Sequence, residues 1–193
     1  MKSYNPYSLS GKTVLVTGAG SGIGRTTAVE ASRLGARLIL VDINEDGLSE
    51  TMKMLEHSDP AHLSYTVDLC DEVAIDTMVK DIPVIHGCSN NAGITRLTPI
   101  QFIKSEEIAR IHKVNLIAPI MLTKCLLKRK KLARPSSIVF TASAGGVFVA
   151  SFGNAVYATS KCGLDAYMRT AALELASKGI RCNSVNPGMV ETP

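Results

Sequence analysis

The 193-residue sequence has no tryptophan, and only four phenylalanines and five tyrosines, so aliphatic side chains must fill most of any core. Its five cysteines, Cys70, Cys88, Cys125, Cys162 and Cys182, are odd in number and scattered, with no Cys-x-x-Cys pair. That pattern excludes a disulfide framework and a zinc site, and predicts small buried apolar residues instead. No apolar run approaches the roughly 18 residues that span a bilayer. Met1 to Ser10 lacks the apolar stretch of a secretory leader. A soluble, cytoplasmic protein is expected. A strong charge imbalance is also missing, since the formal net charge is only +4. The basic residues that stand out are Lys124, Lys128, Arg129, Lys130, Lys131 and Arg134. They read as a solvated helix end whose cations complement the dipole, with an acidic protein partner as the alternative. No aromatic residues interleave with them, which argues against nucleic acid.

What is present is an ordinary globular balance, 46% hydrophobic and 20% charged, sufficient for a buried core in one domain over 1–193. Short apolar runs alternate with amphipathic stretches. Strands are expected at 13–17, 37–41, 63–67, 84–88, 137–141 and 181–185. Helices are expected at 23–34, 44–56 with Asn44 as N-cap, 71–80, 105–131 with an interruption near Asn115, and 157–177. Apolar strands separated by helices imply a parallel sheet covered on both faces. The expected fold class is therefore α/β, a Rossmann-type doubly wound sheet. Ligands of such sheets sit beyond the carboxyl ends of the strands. Gly18 to Gly24, Asp42, Asp68, Asn91, Ser143 and Pro187 all fall there. His86 reads as structural or exposed.

The first turn reads Thr17-Gly18-Ala19-Gly20-Ser21-Gly22-Ile23-Gly24. Glycines let a backbone turn sharply and approach a pyrophosphate, and the following helix offers free N–H groups and a positive dipole end. Asp42 ends the second strand. A carboxylate there accepts hydrogen bonds from adenosine ribose hydroxyls and repels a 2′-phosphate. No basic residue follows within Ile43 to Asp46, and Ser21 offers no cation. NAD is therefore favoured, with NADP as the alternative; the bland reading is that Asp42 only caps the next helix. Tyr157 and Lys161 are four residues apart on an expected helix and share a face. A neighbouring ammonium favours a phenolate, which makes an acid–base group. Ser143 can steady charge on a substrate oxygen. Pro119, four residues after Asn115, has no N–H, so the Asn115 carbonyl lacks its usual helical partner and is free for water.

The spacing Gly18-x-x-x-Gly22-x-Gly24, with Asn90-Asn91-Ala92-Gly93, Ser143, Tyr157-x-x-x-Lys161 and Pro187-Gly188 in order, resembles the classical short-chain dehydrogenase/reductase family. The resemblance covers nearly the whole chain. It implies interconversion of a secondary alcohol and a ketone, with Asn115, Ser143, Tyr157 and Lys161 as a catalytic tetrad in which Asn115 holds a water near Lys161. It implies that Gly18, Ser21, Gly22, Ile23, Gly24, Asp42, Ile43, Asp68, Leu69, Asn91, Ala92, Gly93, Tyr157, Lys161, Pro187, Gly188 and Thr192 hold the dinucleotide, with Asp68 at the adenine. No metal is implied. The 3-oxoacyl-[acyl-carrier-protein] reductases are an alternative, since the basic stretch 124–134 could meet an acidic acyl carrier protein. A non-catalytic NAD-binding protein is the rival from another class. The resemblance also suggests a homotetramer or dimer built through helices 105–131 and 157–177. Ser143 and Tyr157 are 14 positions apart where many relatives have 13, so the loop between them is expected to differ. Relatives usually continue past Gly188 with a substrate-covering segment, a further helix and a seventh strand. The C-terminal strand and lid are accordingly expected to be absent here.

Overall fold

A computed structural model describes residues 5–192; the first four residues of the polar amino-terminal stretch, and Pro193, lie outside the described residues. The chain begins with β1 (Thr13–Thr17), α1 (Gly22–Arg33), β2 (Arg37–Asp42), α2 (Glu45–Lys53), β3 (Leu63–Thr66) and α3 (Glu72–Asp81). It continues with β4 (Ile85–Asn90), α4 (Ser105–His112), a π-helical turn (Lys113–Ile117) and α5 (Ala118–Lys128). It then forms β5 (Leu132–Thr141), a single distorted turn α6 (Ala144–Val147), the long helix α7 (Ala155–Leu175) and β6 (Ile180–Val185). All six strands are parallel, in the order β3-β2-β1-β4-β5-β6. The order reverses between β1 and β4, and a doubly wound sheet opens its ligand crevice at that point. No seventh strand is present among the described residues.

Strand geometry explains why both faces are covered. Successive side chains point to opposite sides. Along β2, Leu38 and Leu40 pack with Val16 against Ala28 and Ala31 of α1 and Leu48 of α2. Ile39 and Val41 face the other way, into a larger core with Leu15, Ile138, Phe140, Ile75 of α3, Leu122 of α5 and Leu164 of α7. Phe140 meets Tyr167 edge to face at 5.7 Å, so two of the few aromatics sit together. No helix among the described residues is long and apolar enough to cross a membrane.

Several boundaries differ from the sequence expectation. β5 starts at Leu132, not Ser137, because Leu132 pairs with Ile85 before a register shift and Ser137 then pairs with Gly87. A strand with a bulge around Pro135 has no clean period to read. β4 runs on to Asn90, so its pairing extends two residues past Cys88. Asn44 does cap α2, accepting from the Gly47 N–H at 3.1 Å. The interruption near Asn115 takes the form of the π turn, where the Ala118 N–H reaches the Lys113 carbonyl. Cys88, Cys125 and Cys182 are buried, but Cys70 and Cys162 are only half-buried, because Cys70 lies on a strand-end loop and Cys162 on the flank of α7 facing α6.

The basic stretch behaves as a set of helix-end contacts. Arg129 pairs with Asp76, and Lys131 donates to the Lys80 and Ile82 carbonyls at 3.0 and 2.6 Å, closing the end of α3. His86 is structural: its Nδ1 accepts the Thr13 N–H at 3.1 Å.

The start of α1 is packed without room for a side chain. A Cβ at Gly24 would lie 2.0 Å from the Gly18 carbonyl oxygen. Gly24→Ala is therefore expected to lower stability by about 3 kcal/mol through forced displacement of the turn. A urea midpoint equal to that of the parent would contradict this packing.

Candidate active site

The glycine-rich turn is held from three sides. Gly18 and Gly22 have φ of +65° and +50°, which side-chain-bearing residues rarely adopt. Thr17 Oγ1 accepts the Asn91 and Ala92 N–H groups at 3.0 and 3.1 Å, tying the end of β1 to the end of β4. Asp42 accepts the Gly20 N–H at 2.8 Å through one oxygen and the Asn44 N–H at 3.0 Å through the other. The cap of α2 is Asn44, so Asp42 is not merely a helix cap. Arg25 braces the turn from behind, donating to the Gly20 carbonyl, to Glu50 at 2.9 Å and to Thr51 Oγ1 at 3.0 Å. Ser21 stands at the N-cap of α1 but its side chain makes no cap bond. The first N–H groups of α1 thus lack intrahelical partners and point at the turn, as an anion site requires.

At the other end, α7 places Tyr157 and Lys161 one turn apart. The Lys161 ammonium donates to the Thr141 carbonyl at 2.6 Å and lies 5.7 Å from the centre of the Tyr157 ring. Lys161 is almost fully buried, and burial pulls its pKa down from 10.5 to about 8. Ser143 follows β5; its Oγ accepts the Gly145 N–H at 3.2 Å, leaving its own proton to donate elsewhere. Gly93 separates Asn115 from Lys161: a Cβ there would stand 3.3 Å from both Asn115 Oδ1 and Lys161 Nζ.

Asn115 is wholly buried. Its amide accepts the Ile94 N–H at 2.8 Å, donates to the Ile94 carbonyl at 2.9 Å, and donates to Ser160 Oγ at 3.1 Å. Ser160 in turn donates to the Tyr157 carbonyl at 2.7 Å. The Asn115 side chain is thus a clamp joining the loop after β4 to α7.

These features share one cleft of about 800 Å³ along the carboxyl ends of the strands. Its wall contains Gly18, Ser21, Gly22, Ile23, Asp42, Ile43, Asp68, Leu69, Asn91, Ala92 and Gly93, with Thr192 beside Gly22, and also Ser143, Tyr157, Lys161, Pro187 and Gly188. Gly24 and Asn115 are the expected site residues that stand behind the wall. The structure adds Cys70, Ile94, Thr95, Arg110, Val114 and Val190 to the lining. Thr17, Arg25 and Ser160 also shape the site, and the sequence reading missed all three. Arg25 could not be found from spacing, because Glu50 and Thr51 lie about 25 positions away along the chain. A metal cluster is absent among the described residues.

The parallel sheet with its reversal at β1 and β4 is a Rossmann-type fold, and the cleft runs from the glycine-rich turn to Ser143, Tyr157 and Lys161. Comparison with known proteins agrees. Residues 12–193 match the family model described as short chain dehydrogenase. A 3-oxoacyl-[acyl-carrier-protein] reductase of Thermotoga maritima is 34% identical over 189 residues, covering 96% of this chain and 76% of that protein. Levodione reductase of Leifsonia aquatica is 34% identical, covering 94% and 70%. Among solved structures, a 3-ketoacyl-(acyl-carrier-protein) reductase of Brucella melitensis complexed with NADH superposes with a TM-score of 0.87 at 28% identity, covering 96% and 79%. The chain belongs to the short-chain dehydrogenase family. It is an oxidoreductase acting on CH–OH groups with NAD(P) as the acceptor.

The buried ammonium makes a pH prediction. Between about pH 8 and 10.5 the unfolded chain keeps the Lys161 proton that the folded chain has released, so stability rises with pH across that window. Relative to Lys161→Met, the parent is expected to gain up to about 3 kcal/mol between those limits, at 1.36 kcal/mol per pKa unit. Denaturant titrations of both proteins at pH 7.5, 9 and 10.5 measure it; parallel pH profiles would refute a depressed lysine.

Proposed function

We propose that this chain interconverts a secondary alcohol and a ketone with NAD(H), with Tyr157 as the general acid–base and one domain serving both binding and chemistry. The observation that carries the reading is that Ser143, Tyr157 and Lys161 line the same cleft as the glycine turn and Asp42. The residues fit a dinucleotide: Gly18, Gly22 and Gly93 present bare backbone to the cleft, and the open start of α1 faces it. Gly18 to Gly24 would hold the pyrophosphate, Asp42 the ribose hydroxyls, Asp68 and Leu69 the adenine, and Asn91 to Gly93 with Pro187, Gly188 and Thr192 the remainder. When bound, the nicotinamide supplies hydride acceptance or donation.

The chain's own groups do the rest. Ser143 donates a hydrogen bond from its free hydroxyl to the substrate oxygen and keeps its proton. Tyr157 takes up the alcohol proton at its phenolic oxygen, or returns it to the ketone oxygen. The Lys161 ammonium, fixed by the Thr141 carbonyl, favours the phenolate form. Asn115 positions Tyr157 through Ser160 and fixes the Ile94 backbone. Asp42 favours NADH over NADPH, because its carboxylate occupies the place a 2′-phosphate would need.

A second reading, reduction of a carrier-bound 3-oxoacyl group, draws support from the names of the Thermotoga and Brucella relatives. The basic stretch no longer supports it. Lys128 to Arg134 lies at the start of β5, whereas Ser143 follows its end, roughly 20 Å away by the six-residue span of β4 alongside at ~3.3 Å per residue.

We further propose a homotetramer or dimer, supported by exposed Ile108, Ile117 and Leu173 on α4, the π turn and α7. Sedimentation should show such an assembly at micromolar concentration; monomers alone would rule it out. Tyr157→Phe is expected to lower kcat at least 1,000-fold while the Kd for NADH changes less than threefold and stays below that for NADPH. Full turnover in that variant would remove Tyr157 from the chemistry, and NAD(H) binding without turnover by the parent would favour a non-catalytic role.

A further inference from the structure

Three segments meet beside the Ser143–Tyr157 end of the cleft: the stretch 141–160 and residues 185–190, which both contribute to its lining, and the loop 97–103, which is bonded to the first of them. None contains a charged side chain, although one residue in five of the whole chain is charged. The segments are stitched together by main-chain bonds. The Thr98 N–H donates to the Gly153 carbonyl at 2.8 Å, and the Ala144 N–H donates to the Pro187 carbonyl at 3.0 Å. α6 packs so closely on α7 that a Cβ at Gly146 would sit 3.0 Å from Ala158 Cα, the neighbour of Tyr157. The nearest cation along the first segment, Arg96, is turned to Glu107 at 3.4 Å. The cofactor side of the same cleft is different, with Asp42, Asp68 and Arg110 in its wall.

On this charge-free rim stand large apolar side chains left in water: Leu97, Phe148, Val149, Phe152 and Met189. Phe152 is 88% exposed and Met189 fully so. The one ammonium beside this rim, that of Lys161, is nearly buried and committed to the Thr141 carbonyl, and the three segments themselves supply no carboxylate, ammonium or guanidinium, so a charge placed against this surface loses hydration without a partner on it. Apolar surface on a substrate gains what these side chains lose from solvent.

We infer that the substrate is an uncharged secondary alcohol or ketone with an apolar body, cyclic or aliphatic, and that Leu97 and Phe152 set this specificity; the inference rests on the alcohol–ketone reading above. A polyol finds few fixed donors and acceptors on this rim, and a hydroxy acid finds no cation on it, Lys161 being held by the Thr141 carbonyl.

The test is turnover by the full chain with NAD. Cyclopentanol, cyclohexanol and 2-octanol are compared with erythritol and gluconate. The expected result is kcat/KM rising about twofold or more per added methylene, which is what partial burial of each group yields. Erythritol and gluconate should fall at least tenfold below cyclohexanol. Leu97→Ser and Phe152→Ser, both on exposed loops, should lower kcat/KM for 2-octanol about three- to tenfold through KM, with the Kd for NADH unchanged. Better turnover of erythritol or gluconate overturns the inference and leaves the alcohol–ketone chemistry standing. Unchanged KM for 2-octanol in both variants also overturns it. Turnover of no CH–OH compound, with NADH still bound, overturns the underlying chemistry and this inference together.

Discussion

The buried ammonium of Lys161 is the constraint on which the rest of the site depends. A charge removed from water is costly unless partners surround it. Here one partner is the Thr141 carbonyl, 2.6 Å away at the end of β5. That bond ties α7 to the sheet and fixes where Tyr157 stands. It also dictates what packs alongside. A side chain at Gly93 would crowd Lys161 Nζ and Asn115 Oδ1, each 3.3 Å from where its Cβ would stand. Asn115 must be buried and saturated, because an unpaired amide beside a buried cation would add a second desolvation cost. Its bonds to Ile94 and Ser160 meet that need and join the loop after β4 to the helix of Tyr157. Tyr157, Lys161 and the wall of the cleft beside Gly93 are in this way one mechanical unit.

The far end of the cleft follows a different logic. There the backbone itself is the binding surface, so side chains are removed or turned away. Gly18 and Gly22 adopt positive φ, Gly24 touches Gly18, and Ser21 leaves the first turn of α1 open. Such a turn has little to hold its shape, and it is braced from outside. Asp42 holds Gly20 by its N–H, Arg25 holds it by its carbonyl, and Thr17 fastens the neighbouring strand ends. Asp42 therefore shapes the turn as well as standing in the cleft wall.

Much of this was legible along the chain. Parallel strands buried on both faces read as continuous apolar runs, so the six strands and their covering helices were visible, and Asn44 was recognisable as a cap. Asp42, Asp68, Asn91 and Ser143 were visible because each lies at or just past the end of an apolar run, and Tyr157 and Lys161 were visible by their four-residue spacing on a helix. The edges were harder. A bulge around Pro135 hid the first half of β5, since a register shift interrupts the period that marks a strand. Cys70 and Cys162 were expected inside with the other cysteines; a small thiol carries no pattern that separates a loop or helix flank from a core. The basic stretch 124–134 could be read as a partner surface until the fold placed its end at the opposite edge from Tyr157.

The sequence alone determined the fold class, the family and the set of residues gathered near the strand ends, because periodicity and glycine or acidic punctuation are local properties. Only the tertiary structure decided what those residues do to one another. That Lys161 is nearly dry, that Asn115 spends its amide on Ile94 and Ser160, that Arg25 braces the turn through Gly20 and Glu50, and that three charge-free segments meet beside Ser143 all depend on contacts between distant positions. Burial and hydrogen-bond partnership are properties of the packed molecule, and no spacing along the chain encodes them.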